Sequence, residues 1–416
     1  MSQALAPLRL PGFRQLTFAY TVNELGNWLG EIALAVLVFD KTGSPLATAA
    51  LFIGMQFMPA FLSQALVARI ETAGSRVGLP AIYALEGAAF VALAAIADNF
   101  MLAAVIVIAT LDGTLSVAGK AFTRAAVVSV LAPAGQLREG NALMNIAFAA
   151  VSALGPLLAG LAVAGVGART ALLLDAASFA LVALIMLLAR SLPDVKADPE
   201  PWWKRLREGF SYVGGSPILK RLIWAQSIAF VFFAAVIPIE IVYAKETLHA
   251  GDSGYGALLA AWGVGMVIGS FLFAGARRAR LDVLLLISTV TIGGAYLAMS
   301  AAGTITVACL AAAVGGIGNG VQWVAILSAI QNLTADRYQA RVIGLLESSG
   351  RAMPGVGFLL GGAMAFLFDP RASFVLAGIG VLVVVAAATP MLRRTEWPSG
   401  SQDDDAALPA TAGADG

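Results

Sequence analysis

Long apolar runs are the feature that most limits how this chain can fold. An α-helix needs about 20 mainly apolar residues to cross the hydrocarbon core of a bilayer. Twelve such runs follow one another between residues 14 and 391. Charged residues make up only 12% of the chain, against about 25% in a soluble domain. The sequence therefore predicts an all-α membrane protein with twelve transmembrane helices.

The spacing of the runs predicts two bundles of six helices. Only one connection is long, and it lies between the sixth and seventh runs. We therefore expect an N-terminal bundle over 1–190, a cytoplasmic linker over 191–217, a C-terminal bundle over 218–392 and a disordered tail over 393–416. Within the linker, "WWKRLREGFSYV" (Trp202 to Val213) places apolar side chains on one helical face. This pattern favours an interfacial helix over a plain cytosolic linker.

The distribution of basic residues predicts the orientation. Twenty-one of the 26 lysines and arginines fall on the side of the N-terminus, among them Lys120, Arg124 and Arg138, which we expect to be surface anchors. Four fall on the other side, at Lys41, Arg169, Lys245 and Arg371. Because cytoplasmic loops carry the excess of basic residues, both termini are predicted to be cytoplasmic.

The first apolar run contains a polar stripe, in "TVNELGNWLGEIALAV". At about 100° per residue, Glu24, Asn27, Trp28 and Glu31 fall within roughly 60° of one direction. A carboxylate at the centre of a lone membrane helix costs about 2.5–3.5 kcal/mol. The stripe therefore faces either a hydrated cavity or a structural polar contact between helices.

Polar and aromatic groups also occur inside other runs. The fourth has Asp112; the seventh and tenth carry further candidates for a cavity wall, at Gln226, Phe230, Phe233, Glu240, Asn319, Gln322 and Trp323. An apolar wall with a few polar groups suits amphipathic organic molecules. In the eleventh run, Glu347 and Arg351 are four residues apart, a spacing that predicts a structural ion pair.

The two halves repeat one another weakly, and the order of several motifs points to a family. "GPLLAG" (Gly155 to Gly160) in the fifth run matches "GFLLGG" (Gly357 to Gly362) in the eleventh. With "LRLPGFRQL", "ELGNWLGEIALAVLVFDKTGSPLATA", "LREGNALMN" and "LTADRYQARVIGL", the chain resembles the major facilitator superfamily. More narrowly, it resembles the bacterial exporter branch that includes enterobactin and macrolide efflux proteins.

The resemblance implies specific roles. Runs one, four, seven and ten would line a central cavity, and the protein would lie in a bacterial inner membrane. Small residues in the repeated motif would serve helix packing or gating, at Gly155, Pro156, Gly160, Gly357 and Gly361. The loop "ALVARIETAGSRVG" keeps Arg69, Glu71 and Arg76 of a gating pattern in altered form. The branch usually has Asp where this chain has Asn27.

The leading functional prediction is a proton-coupled exporter of small amphipathic molecules that works by alternating access. Glu24, Glu31 and Asp112 are the candidates for proton coupling, because a desolvated carboxylate can alternate between protonated and ionised forms. The alternatives are an uptake permease, by symport or uniport, and a non-transporting receptor or assembly factor.

Other function classes are not indicated. His249 is the single histidine and Cys309 the single cysteine, so the sequence predicts no metal site. No P-loop motif is present, which leaves the proton gradient as the expected energy source. We expect no enzyme activity, no cofactor and no nucleic-acid partner. The expected partners are a small-molecule substrate and the lipid bilayer, with the protein as a monomer.

Overall fold

The computed structural model describes residues 3–63, 75–189, 202–276 and 279–394. Twelve helices in these ranges are long and apolar enough to cross a membrane, as the sequence predicted. They are α1 Pro11–Thr42, α2 Pro45–Ser63, α3 Val77–Ile96, α4 Leu102–Leu131, α5 Glu139–Val166, α6 Ala168–Leu188, α7 Pro217–Thr247, α8 Gly251–Gly275, α9 Leu281–Ala301, α10 Ile305–Leu333, α11 Arg341–Leu367 and α12 Pro370–Pro390.

Local turn chemistry sets several helix ends. After α1, Gly43 adopts a left-handed conformation (φ 58°) and donates its N–H to the carbonyl of Phe39. Glycine is favoured there because a Cβ is strained at positive φ. Ser44 then accepts a hydrogen bond from the Ala47 N–H, and Pro45 opens α2. The sequence "TGSP" therefore stops one span and starts the next within a few residues.

Two helices extend farther than the sequence pattern indicates. The α4 helix continues past the end of its apolar run to Leu131 and carries Lys120 and Arg124 inside it. The hydropathy of the sequence falls at Lys120 and Arg124, so hydropathy alone indicates that the span ends before them. At the other terminus, the helix that contains α12 runs on to Arg394, so residues 393 and 394 are helical and not part of a tail.

The chain alternates between two sides of the bundle. We call the side of the α6–α7 connection the linker side and the other the far side. The main contacts between the halves are made by α5 against α8 and by α2 against α11. The halves are thus joined by two helix pairs related by the repeat.

The repeated glycines lie in matching positions. A Cβ on Gly155 of α5 would meet the Trp28 ring of α1, and one on Gly357 of α11 would meet backbone atoms of α7. Gly160 approaches the Cα of Gly256 in α8, whereas Gly362 approaches Ala49 in α2. Gly155 and Gly357 each face the first helix of their own half, whereas Gly160 and Gly362 each face the other half. Gly160, expected to serve helix packing or gating, thus packs against the other half and not within its own.

The linker helix, Trp202–Gly214, packs on the C-terminal half. Tyr212 stacks on Tyr338 with ring centroids 4.3 Å apart, and Glu208 pairs with Arg341 at 2.7 Å. Val213 is buried in the core of the C-terminal half, whereas Phe210 is exposed. The predicted apolar face of the linker helix is therefore only partly free, because the C-terminal half covers Val213 and leaves Phe210 exposed.

Candidate functional site

A large cavity lies between the two halves. Its volume is about 990 Å³, and its wall is formed mainly by α1, α4, α5, α7, α8, α10 and α11, with one residue each from α3, α9 and α12. Since the wall residues lie nearer the linker-side ends of their helices, the cavity opens on that side.

An ion pair lies on the N-terminal wall of the cavity. Lys120 Nζ of α4 is 3.0 Å from Glu24 Oε1 of α1. Only 9% of the Glu24 side chain is exposed, against 43% of the Lys120 side chain. Lys120 is thus a cavity residue and not the predicted surface anchor. The reason is that α4 is longer than expected and turns this residue toward α1.

Further polar groups surround that pair. The Tyr83 hydroxyl and Thr123 Oγ1 are 3.0 Å apart. Arg124 lines the cavity and is exposed, which corrects its assignment as an anchor. Tyr20 of α1 and two asparagines of α5, Asn141 and Asn145, complete this wall. The asparagines are four residues apart within "LREGNALMN", a spacing that places them on one helical face. The sequence prediction did not include them, although this spacing was visible in the motif.

Aromatic and amide side chains form the C-terminal wall. Predicted residues that do line the cavity are Gln226, Phe230, Phe233, Asn319, Gln322 and Trp323. The Gln322 Nε2 donates a hydrogen bond to Thr289 Oγ1 at 3.3 Å. Trp323 is 41% exposed, so an occupant of the cavity can reach its ring.

Packed aromatic rings lie behind Phe233 inside the C-terminal half. Phe233 meets Trp262 edge to face, with ring centroids 5.7 Å apart. Trp262 stacks on Tyr296 at 5.3 Å, and Tyr296 is 1% exposed. Offset and edge-to-face aromatic contacts of this kind are favourable and well packed. They support the Phe233 side chain on the C-terminal wall of the cavity.

The predicted structural pair Glu347–Arg351 is wrong. Both side chains lie in the described part of the chain, and no ion pair within 4.0 Å joins them there. Glu347 is exposed and lines the cavity instead. The i, i+4 spacing permits a pair but does not require one, because exposed long side chains lose entropy when they pair.

Five predicted site residues do not line the cavity: Asn27, Trp28, Glu31, Asp112 and Glu240. Trp28 packs against Gly155. The helical wheel gave the direction of the α1 stripe but not the depth to which the cavity extends. Since the halves close together beyond Glu24, residues farther along α1 face protein.

Asp112 belongs to a buried acidic group in the N-terminal half. Glu86, Asp112 and Asp175 come from α3, α4 and α6, and each is less than 9% exposed. Asp175 lies against Gly26 and Gly30 of α1, where a Cβ would clash with its carboxylate oxygens. These carboxylates lie behind the cavity wall.

An ionic contact between the halves closes the far side. Lys245 of α7 pairs with Asp40 of α1 at 2.5 Å and with Asp252 of α8 at 2.8 Å. The lysine therefore holds one carboxylate from each half. Close by, Gly160 and Gly256 bring the backbones of α5 and α8 together.

The predicted gating loop between α2 and α3 stays a prediction. Arg69 and Glu71 lie outside the described residues, as does the side chain of Arg76. As for metal sites, no group of three or more His, Cys, Asp or Glu side chains within the described ranges is arranged to hold an ion.

Comparison with known sequences agrees with the fold and the motifs. The family described as transmembrane secretion effector matches residues 2–410. An uncharacterised major-facilitator-type transporter, y4rN of Sinorhizobium fredii, is 26% identical over 391 residues, 91% of this chain and 94% of that protein. The multidrug efflux pump Tap of Mycobacterium tuberculosis is 25% identical over 93% of this chain and 95% of its own. The enterobactin exporter EntS of Shigella flexneri is 27% identical over 62% of each chain.

Solved structures share the architecture at low sequence identity. A bacterial homologue of the iron transporter ferroportin, in an inward-facing state, has a TM-score of 0.73 at 15% identity, covering 95% of this chain and all of that one. A bacterial homologue of the lysosomal transporter spinster, inward-facing and occupied, has a TM-score of 0.73 at 16% identity, covering 94% of this chain and 98% of that one. These likenesses show a common fold.

Proposed function

We propose that this chain, which belongs to the transmembrane secretion effector family of major facilitator transporters, is a proton-coupled exporter of small amphipathic organic molecules. The observation that carries the proposal is the cavity of about 990 Å³ between the halves, open on one side and closed on the other. A site that opens to one side at a time is what alternating access requires. Efflux names among the relatives support the direction.

The linker side is proposed to be cytoplasmic, in a bacterial inner membrane. The excess of basic residues on that side supports this orientation. The cavity then opens inward, and Lys245 closes the outer side. In this state the cavity would collect its substrate from the cytoplasm or the inner leaflet.

The composition of the wall supports the substrate class. Phe230, Phe233 and Trp323 offer aromatic surface, and the amides offer orienting hydrogen bonds. Near them the Lys120–Glu24 pair places both charges beside the substrate space. A molecule with an apolar body and a polar or charged group fits this arrangement best.

Buried carboxylates are proposed to carry the proton coupling. The candidates remain Glu24, Glu31 and Asp112, since each lies inside a span where an ionised group is costly. Glu24 differs from the other two because it makes a direct ion pair with Lys120, at 3.0 Å. A proton gradient, and no bound cofactor, would supply the energy.

A matched pair of tryptophan variants tests the cavity as the substrate site. In a strain that lacks its main pumps, a panel of dyes, antibiotics and siderophores would first identify a transported compound. Trp323→Ala should then weaken its transport by up to about tenfold, because a stacking surface worth about 0.5–1.5 kcal/mol is lost. Trp224→Ala is the control, since the Trp224 side chain is also exposed but does not line the cavity. Equal effects of the two variants would contradict the assignment.

The assay also separates the other functions. An uptake permease would lower, not raise, resistance to the compound. A receptor or assembly factor would bind a compound in the purified state without moving it. Either result would overturn export as the function.

A further inference from the structure

Two basic side chains face the cavity from one helix of the N-terminal half. Lys120 and Arg124 are four residues apart on α4, and both line the cavity. Residues at this spacing lie on the same helical face, with about 5–6 Å between their Cβ atoms. Val128, one turn farther, also lines the cavity and is 49% exposed. The α4 helix thus presents one continuous strip, Lys120, Arg124 and Val128, to the substrate space.

The acid that balances Lys120 lies behind it. Glu24 Oε1 is 3.0 Å from Lys120 Nζ, but the Glu24 side chain is only 9% exposed, against 43% for Lys120. An ammonium group has three N–H donors, and this contact occupies one of them. An occupant of the cavity therefore meets the remaining N–H groups of the lysine more readily than the carboxylate.

Arg124 carries a positive charge without a protein partner in the described part of the chain. Its side chain is exposed in the cavity, and no described side chain or carbonyl makes an ion pair or hydrogen bond with it. A guanidinium offers five N–H donors in a planar fork that matches a carboxylate, sulfonate or phosphate. The Tyr20 hydroxyl and the amides of Asn141 and Asn145 add further donors to this wall.

The other charge on the cavity wall lies on the opposite half. Glu347 of α11 is exposed, and no described basic group lies within 4.0 Å of it. With Glu24 and Lys120 paired, the N-terminal wall keeps one unpaired cation, Arg124, and the C-terminal wall keeps one unpaired carboxylate. This separation gives the cavity a polarity, in which a negative group is favoured on the N-terminal wall.

Aromatic surface lies opposite the basic strip at a similar depth. At 1.5 Å per residue, Lys120 lies about 16 Å and Trp323 about 15 Å from the linker-side ends of α4 and α10. Trp323 is 41% exposed, and Phe230 lines the same wall. A flat apolar body against these rings would direct an acidic group toward Lys120 and Arg124.

We propose that Lys120 and Arg124 form an anion-binding subsite, and that the cavity takes amphipathic organic anions. The acidic group, a carboxylate, sulfonate or phosphate, binds the two basic side chains, and the apolar body packs on Trp323. The proposal rests on the cavity being the substrate site, as proposed above, and narrows the class of its substrate. Its test needs no transported compound, so it is independent of whether the protein exports.

The first test measures the charge preference of the subsite with thiol reagents. Val128→Cys, in a Cys309→Ser background, places one thiol a helical turn from Arg124. The protein in lipid nanodiscs is treated with the anionic sulfonatoethyl and the cationic trimethylammonioethyl methanethiosulfonate reagents. Each modification rate is divided by the rate of the same reagent with 2-mercaptoethanol in solution.

The normalised ratio of the anionic to the cationic rate should exceed one. Arg124→Gln should lower this ratio by about tenfold, because the reagents differ by two charges and a unit charge about 6 Å away is lost. Arg124→Lys keeps the charge and should keep most of the ratio. Lys220→Gln is the control, since Lys220 is exposed near the linker-side start of α7 but does not line the cavity. It should leave the ratio unchanged.

The second test asks whether an organic acid binds there. The same thiol is modified with neutral methyl methanethiosulfonate in the presence of dansylglycine, dansylamide or dansylcadaverine, an acid, a neutral amide and an amine that share one ring system. The acid should protect the thiol at about 10- to 100-fold lower concentration than the amide, as expected for hydrogen bonds to a charged group. Arg124→Gln should reduce this advantage by about tenfold.

Three outcomes would overturn the proposal. The first is a parent ratio that does not exceed one, and the second is an equal fall in Arg124→Gln and Lys220→Gln. The third is an acid that protects no better than the amide or the amine; stronger protection by the amine would indicate a cation subsite at Glu347. None of these results would contradict export through the cavity, which transport assays decide separately.

Discussion

Replacing Gly160 with alanine tests how the far side is closed. The added Cβ would lie 2.8 Å from the Gly256 Cα, 3.0 Å from the Asp252 carbonyl oxygen and 3.1 Å from the Gly256 nitrogen. All three are backbone atoms, so no side chain can rotate away. An ordinary carbon contact is about 3.5–4.0 Å. The helices α5 and α8 must therefore move apart by several tenths of an ångström or more.

The energetic consequence follows from that geometry. Overpacking of a close contact costs about 1–3 kcal/mol. This cost applies only while the two backbones touch, which is the far-side-closed state. The ratio of open to closed molecules should therefore rise by about 5- to 150-fold.

Spin labels at the far ends of the two halves measure this ratio directly. Gly294→Ala is the matched control, since Gly294 lies within α9 and a Cβ there meets nothing within 4 Å. The distance distribution should move toward longer separations for Gly160→Ala and stay unchanged for Gly294→Ala. Identical distributions in both variants would refute the view that this backbone contact seals the far side.

Other contacts lead to three more predictions. Lys120→Met should destabilise the protein by about 1–3 kcal/mol in thermal melting, because Glu24 loses its partner. The loss is smaller than for a fully buried pair because the Lys120 side chain is 43% exposed. Adding Glu24→Gln should restore part of the lost stability. Gly209→Ala should speed amide exchange in the linker helix, because its Cβ would lie 3.0 Å from a carbonyl of α11, whereas Gly214→Ala should not. A phosphatase that works only in the periplasm should be inactive when it is fused after Arg394. Activity of this fusion would contradict a cytoplasmic C-terminus.

The fold was predictable because the bilayer imposes a strong rule. Every span needs a long apolar run, so the number of runs fixed the number of helices. The motif order indicated the family, and the comparisons confirm it. The offset between Gly155 and Gly357 also located equivalent positions in the two halves. It did not say which helices they touch, since contact partners depend on how the halves dock.

The candidate site was less predictable, and the reasons are geometric. Periodicity gives the face of a helix but not the depth of a cavity, so Asn27 and Trp28 were predicted to line a cavity that ends short of them. Hydropathy treats a lysine as a span end, so the pairing of Lys120 with Glu24 stayed hidden. A membrane helix tolerates such a charge when a partner on another helix meets it, and the sequence does not name that partner.

Transport in vesicles of known orientation tests the central claim most directly. Everted membrane vesicles that contain the protein are given a proton gradient, acidic inside. A transported compound, identified with the panel of dyes, antibiotics and siderophores, is supplied outside. The account predicts gradient-driven accumulation inside these vesicles, which collapses when a protonophore removes the gradient. Gradient-independent movement, or accumulation only in right-side-out vesicles, would contradict proton-coupled export.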